Sequence, residues 1–299
     1  MRPKGGAAVH ISVIVATLGR RSEAEDLAAD LAKQSRLPDR TIFAVTTEDD
    51  APNEHPVIRN ETLLCERKGL CAQRNQGLEL AVDSSDVIVF FDDDFVPHPE
   101  YLERLEKAFL ERDDVVGMTG LVVADGVTGP GLSREEALDA ISANGDGPSK
   151  GSATETNVYG LYGCNMAMRV SALGEKRFDE RLPLYGWLED LDLTNQLLKE
   201  GRLIRLSSLM GAHRGVKAGR VSGIRLGYSQ IANAGYLISK GTAPKSKMYG
   251  NLVKYPLINA VKSLRPEPFI DRKGRLKGNL IALTDLALGR SRPERILEL

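Results

Sequence analysis

The chain has few of the residues that mark several common protein classes. Its 299 residues include only three cysteines, Cys65, Cys71 and Cys164. An odd number without a CxxC spacing excludes a zinc ribbon, a dithiol redox motif and a disulfide framework, and it suits a reducing compartment. No stretch approaches the ~20 continuous apolar residues needed to cross a bilayer. The early run AAVHISVIVATLG is short for a signal peptide and is broken by His10 and Ser12, so it reads as a first strand and no cleavage is expected. Neither a complete P-loop nor a GxGxxG fingerprint occurs. Net charge is also scarce: 40 Lys/Arg against 41 Asp/Glu leave −1, which gives no support to a uniform nucleic-acid-binding surface. The expectation is a cytoplasmic protein, soluble or peripheral at the inner face of the membrane.

With 42% apolar and 27% charged residues the chain can bury one large or two moderate cores, and disorder is excluded for most of it. The charge is unevenly divided. Residues 216–299 hold 16 Lys/Arg and five Asp/Glu, or +11, leaving −12 for residues 1–215. The boundary is placed near Gly215, between a catalytic domain (1–215) and a basic, mainly helical C-terminal region (216–299). A region of that sign suits anionic lipid or a phosphate-bearing acceptor, and equally a basic cap on the acidic body.

Periodicity predicts an α/β fold with a mostly parallel sheet flanked by helices. Residues 11–17, 41–47 and 87–91 are β-branched or aromatic runs, apolar on both faces, as in strands buried inside a sheet. A short strand is predicted at 57–64, a longer one at 115–123 and a last one at 202–206. Helices are predicted from Ser22, capped by it with Glu25 in a capping box, at 70–82, after Pro99 in the first turn, and at 189–200, closed by Gly201. Residues 124–157 are irregular apart from a brief helix at 133–142, again with a capping-box spacing at Glu136, and 158–170 read as extended structure.

Two motifs carry chemistry. In VIVFFDDDF, Asp92, Asp93 and Asp94 stand where a buried strand leaves the sheet, the place where open α/β sheets bind ligands. Like charges so close call for a hard cation, Mg²⁺ or Mn²⁺, shared with substrate phosphates. In GWLEDLDLTNQLLKEG, Glu189 and Asp190 open a helix whose dipole favours their ionised forms, so Asp190 is a candidate general base. Ordinary capping accounts for one acid there, but not for Tyr185, Gly186 and Trp187 before it, which suit stacking on a sugar.

ISVIVAT, KGLCAQRNQGL, VIVFFDDDFVPHPEYL, GCNMAMR, GWLEDLDLTNQLLKEG and a late His213, in that order, resemble the inverting family 2 glycosyltransferases of the GT-A fold, of the bacterial cell-surface and exopolysaccharide type. The resemblance covers about residues 10–215 and implies a metal-dependent transfer of a sugar from a nucleotide-sugar donor, a UDP-sugar by family habit, to a hydroxyl of a glycan or lipid-linked acceptor. It implies that Asp94 is a metal ligand, with His213 reaching the metal or the diphosphate. It assigns Ala16, Thr17, Arg20, Glu48, Arg74, Asp92 and Asp93 to the nucleotide, with Asp49 the alternative to Glu48. Gly163, Cys164, Asn165 and Trp187 fall to the donor sugar and acceptor, with Cys164 a packed residue and not a nucleophile. Asp190 becomes the base and Glu189 its positioning partner, while Arg214, Lys217 and Arg220 add charge near the diphosphate. A nucleotidyltransferase acting on a sugar phosphate and an inert nucleotide- or carbohydrate-binding module are the alternatives. Glycoside hydrolysis would need neither the acidic triplet nor a nucleotide site.

Overall fold

In the first strand, β1 (Ile11–Ala16), Val13 and Val15 face one core and Ile14 the other, which is why the sequence shows a continuous apolar run. The computed structural model describes residues 9–145, 153–217 and 222–299; Arg220 and part of the irregular 124–157 segment lie outside them. β1 pairs in parallel with β2 (Arg40–Val45) and β4 (Val87–Asp92), and β2 with β3 (Asn60–Leu64). The remaining strands are β5 (Phe95–Pro97), β6 (Val115–Asp125), β7 (Glu155–Asn157), β8 (Asn165–Arg169) and β9 (Arg202–His213). The sheet order is β3-β2-β1-β4-β8-β6-β9-β5, with β7 also on β9. β8 enters antiparallel between β4 and β6, while β6 and β9 run parallel.

Helices α1 (Arg21–Leu31) and α3 (Tyr101–Glu111) cover one face of the sheet with Leu27, Leu31, Leu102, Leu105 and Phe109. The other face is covered by α2 (Leu70–Ala81) and α6 (Glu189–Gln196). α4 (Arg134–Ala143) and the single turn α5 (Val170–Leu173) complete the N-terminal part. α7 (Gly223–Lys240), α8 (Lys245–Lys262) and α9 (Arg272–Ala287) follow. α7 and α8 pack on the body, and α9 packs on α7 and α8. Ala234, Leu237 and Met248 join the α2/α6 core, Asn233 donates to the Trp187 carbonyl, and Lys240 pairs with Asp179 and with the fully buried Asp192 at 2.7 Å each. No helix among the described residues is long and apolar enough to cross a membrane.

Several local expectations are corrected. Ser22 does not cap α1: Arg20 holds the N-cap position without a side-chain capping bond, and the Ser22 hydroxyl donates to Glu23 instead. The start is fixed by tertiary contacts, the Gly19 N–H donating to Asp50 and Arg20 pairing with Asp93. Pro99 precedes α3 by a turn, with Glu100 at its N-cap. Ser133 and Glu136 do form the expected capping box on α4. Of residues 158–170 only β8 is strand, and β5 was not anticipated at all. β9 runs seven residues beyond the expected 206, because Ser207 and Ser208 interrupt the apolar pattern where the strand bulges. The register with β6 jumps there from Gly120↔Leu206 to Leu121↔Met210. Gly120 makes the bulge possible: a Cβ at this position would lie 2.0 Å from the Leu209 carbonyl oxygen.

Candidate active site

The extension of β9 carries His213 to the end of the sheet, opposite Phe95 on β5 and Asp125 on β6. There it meets the acids that follow β4. His213 Nε2 lies 3.2 Å from Asp94 and 3.7 Å from Asp92, and Nδ1 lies 3.3 Å from Asp125. One donor atom each from Asp92, Asp94 and His213 lies within 4.8 Å of the others, so this trio could hold a metal ion. Two carboxylates and an imidazole form a donor set suited to a divalent ion such as Mn²⁺. Asp94 also accepts from the Val216 N–H at 2.7 Å. Burial alone would raise its pKa; the His213 hydrogen bond and charge, with Arg20 and Val216, outweigh burial and hold it down at about 2.

Asp93, the middle acid, turns the other way. It accepts from the Thr17 hydroxyl at 2.6 Å and pairs with Arg20 at 2.8 Å, joining the turn after β1 to the acidic cluster. Burial, with the Asp94 charge, pushes its carboxyl up to about 7 against the pull of Arg20 and Thr17. Ala16 ends β1 opposite Asp92 and Ala44.

The second acidic motif stands across a cavity of about 650 Å³, whose lining includes Arg74, Asp92, Gly163, Cys164, Trp187, Glu189, Asp190 and His213. Arg74, 1% exposed, ties the two motifs together. Its guanidinium lies beside the rings of Phe90 and Phe178 and donates to Glu189, to Asp92 at 2.9 Å and to the Gly163 carbonyl at 2.9 Å. Arg74 therefore spends its donors on acids and backbone within the protein.

Asp190 accepts from the N–H groups of Gly163 (3.1 Å) and Leu191 (2.7 Å). Burial raises its pKa above the ordinary Asp value despite those bonds and the Arg74 charge. Burial and the Asp190 charge likewise push Glu189 up to about 8, with Arg74 opposing. Gly163 is needed for the close approach, because a Cβ there would lie 3.2 Å from the Glu189 carboxylate and 3.4 Å from Asp190. The loop before α6 is strained: Leu184 and Leu188, neither of them glycine, have φ of 59° and 74°. They bracket Tyr185, Gly186 and Trp187. Trp187 packs edge-to-face on Tyr255 of α8 at 5.8 Å, and its buried indole N–H has no hydrogen-bond partner among the described residues. Burial pushes the Cys164 thiol up to about 12, so it stays protonated, in keeping with a packed residue.

Ala16, Thr17, Arg20, Asp93 and Asp94 stand in the acidic cluster behind the cavity wall, and two expected positions join neither the cavity nor that cluster. Glu48 is exposed on a short 3₁₀ turn, Glu48–Asp50, and Asp49 is exposed beside it. The acid that turns inward is Asp50, bonded to Gly19 (2.7 Å) and Thr47 (3.1 Å), because the turn points the third residue of EDD back at β1. Asn165 is fully buried in β8, where its side chain accepts from Thr119 and its carbonyl from Tyr101, so it braces the sheet. Of the late basic residues, Lys217 donates to the carbonyls of Gly126 and Val127, and Arg214 pairs with Asp26. Sequence reasoning missed Tyr162, which donates to Asp125 at 2.9 Å, and the α8 contribution of Lys247, Asn251, Lys254 and Tyr255 to the cavity wall. The tyrosine stands immediately before GCNMAMR, a motif whose signal begins one residue later. The lysines registered only as part of a basic tail.

The family model described as Glycosyl transferase family 2 matches residues 12–176. No protein with a curated description matches the sequence. Among solved structures, the mannosyltransferase PcManGT from Pyrobaculum calidifontis, in complex with GDP-Man and Mn²⁺, aligns over 97% of this chain and 79% of its own, with a TM-score of 0.53 and 15% identity. Glucosyl-3-phosphoglycerate synthase from Mycobacterium tuberculosis, in complex with Mn²⁺, uridine diphosphate and phosphoglyceric acid, aligns over 82% of this chain and 85% of its own, with a TM-score of 0.50 and 18% identity. At these identities the likeness establishes a shared fold, the GT-A glycosyltransferase fold, and with the family match over more than half the chain, this protein belongs to glycosyl transferase family 2.

Proposed function

We propose that the protein is a metal-dependent inverting glycosyltransferase, moving a sugar from a nucleotide-sugar donor, a UDP-sugar in the first instance, to a hydroxyl of a glycan or lipid-linked acceptor in bacterial cell-surface polysaccharide synthesis at the cytoplasmic face of the membrane. One observation carries the reading: a single cavity is lined by the Asp92 and His213 side of the metal-type trio and by Asp190, with Arg74 between them. Residues 1–215 form the catalytic part on this reading, and 216–299 a cap that completes the cavity wall.

Asp92, Asp94 and His213 would hold Mn²⁺ in preference to Mg²⁺, which favours all-oxygen sites. Bound there, the ion would supply positive charge against the negative charge developing on the leaving diphosphate. The end of β1, with Ala16, Thr17 and Arg20, and the acids Asp92 and Asp93 bind the nucleoside. Asp190 accepts the proton of the acceptor hydroxyl as that oxygen attacks the anomeric carbon. The carbon–oxygen bond to the nucleoside diphosphate breaks on the opposite face, so configuration inverts. Raised by burial, Asp190 is a stronger base than a solvated aspartate. Trp187 and Gly163 present the sugars, and Glu189 with Arg74 positions Asp190. The neighbouring structures hold GDP-Man and UDP with Mn²⁺, which supports a nucleotide donor. A thermal-shift panel of nucleoside diphosphates with and without Mn²⁺ tests the proposal. Stabilisation by UDP only in the presence of metal is expected; indifference to every nucleotide would refute it.

A further inference from the structure

Helix α8 presents two unlike faces. Inward, Met248, Asn251 and Asn259 are buried, and Asn251 and Tyr255 line the cavity. Outward, Tyr249, Val253, Leu257 and Val261, continued by Leu264, are exposed at 56%, 61%, 59%, 68% and 83%. At about 100° per residue these five fall within an arc of roughly 120° that points away from the body. A solvent-facing apolar stripe of this length on a helix otherwise seated against the protein is the reverse of the usual surface pattern. Lys247 and Lys254 stand at one margin of the stripe and also line the cavity, and α8 contains four lysines and neither Asp nor Glu.

We propose that the outward face of α8 is a membrane-docking surface: Tyr249, Val253, Leu257, Val261 and Leu264 seat in the headgroup region of an anionic phospholipid bilayer, with the helix lying in the plane of the interface. The occupant follows from charge. A helix with lysines and no acids, in a region carrying +11, complements anionic headgroups, whereas a second copy on the same face would set like charges together. Apolar side chains supply insertion, the lysine ammoniums reach headgroup phosphates, and Tyr249 suits the interface level. Docked in this way, α8 is both the membrane contact and a wall of the cavity, so the Lys247–Lys254 edge opens at the bilayer surface. A lipid-borne acceptor would then reach Asp190 without leaving the membrane; that last clause rests on the glycosyltransferase reading, while the docking itself does not.

The test is co-sedimentation of the full chain with vesicles of phosphatidylcholine alone and of phosphatidylcholine mixed with phosphatidylglycerol. The parent is expected to bind the anionic vesicles, less at high salt. The triple variant V253D/L257D/V261D should bind at least about tenfold more weakly, since three charges replace inserted apolar side chains. Its thermal unfolding and its response to UDP with Mn²⁺ should match the parent's, because these side chains face solvent. Failure of the parent to bind anionic vesicles, or undiminished binding by the variant, would overturn the proposal. So would a parent dimer in analytical ultracentrifugation that the variant dissolves while neither binds vesicles, which would make the face a self-interface. Vesicle binding without any nucleotide response would leave docking standing and remove the donor reading instead.

Discussion

Replacing Arg74 by Leu would separate two accounts of that residue. If its first role were to read a diphosphate, loss of the guanidinium would weaken nucleotide binding and leave stability almost untouched. The structure predicts the opposite emphasis. Arg74 is fully enclosed, flanked by the rings of Phe90 and Phe178, and donates to Glu189, Asp92 and the Gly163 carbonyl. Leucine fills part of the volume but leaves Asp92, the buried Glu189 carboxyl and the Gly163 carbonyl without their donor. Removing one partner of a buried pair costs about 3–5 kcal/mol, or a fall in Tm on the order of 10 °C for a protein of this size. The sign of the pH dependence follows from Glu189, whose folded-state pKa is already raised to about 8 by burial and Asp190. Without Arg74 it rises further. A carboxyl with a raised folded pKa costs nothing while protonated in both states, and its penalty grows as pH climbs from the unfolded value of ~4.3 toward the folded one. Up to about pH 8 that penalty grows alike in the parent and in Arg74→Leu; above it the penalty levels off in the parent alone, so the destabilisation by Arg74→Leu should be larger at pH 9 than at pH 5. Adding Glu189→Gln should recover part of it, with a coupling of about 0.5–3 kcal/mol in a double-mutant cycle. Differential scanning calorimetry of the four proteins at both pH values provides the measurement. A Tm within about a degree of the parent at pH 9 and an additive cycle would refute the argument.

Asp190→Asn should lower kcat roughly 10²- to 10⁴-fold while calorimetry shows unchanged donor affinity; transfer at the parental rate would remove it as the base. The parental pH–rate profile should rise with pH through a midpoint above the ordinary Asp value, because burial keeps Asp190 protonated, and therefore idle, to a higher pH than a solvated aspartate. In Asp94→Ala, Mn²⁺-dependent binding of UDP should be lost or greatly weakened, and an unchanged isotherm would exclude Asp94 from the metal site. Gly120→Ala should destabilise the chain by about 1–3 kcal/mol or more in denaturant unfolding, since its Cβ would press on the Leu209 carbonyl at 2.0 Å.

What could be read from the sequence was local. The runs in β1, β2 and β4 are apolar on both faces because helices cover both sides of the sheet, so a strand and its burial are written in the same few residues. The capping box on α4 is a four-residue matter and appeared as expected, whereas α1 starts where distant partners put it, with Asp50 on Gly19 and Asp93 on Arg20. The same distinction runs through the site. Two acidic clusters are visible as words, but the contact that joins them crosses 115 positions from Arg74 to Glu189 and has no spacing to reveal it. The resemblance pointed to His213, but from the residues themselves it could be placed only by knowing that β9 continues past Ser207 and Ser208, which polarity argues against and the Gly120 bulge allows. Net charge shows the limit most plainly. The +11 of residues 216–299 is a sum, and a sum has no direction. Folded, part of that charge is spent inward, with Lys240 on the buried Asp192 and Arg272 on Glu267. On α8, by contrast, Lys247 and Lys254 stay at the cavity edge beside an apolar stripe that faces solvent. Membrane contact and a basic cap, which composition sets against each other, are therefore compatible: the inward face of α8 packs on the body and its outward face is left free to meet a lipid surface.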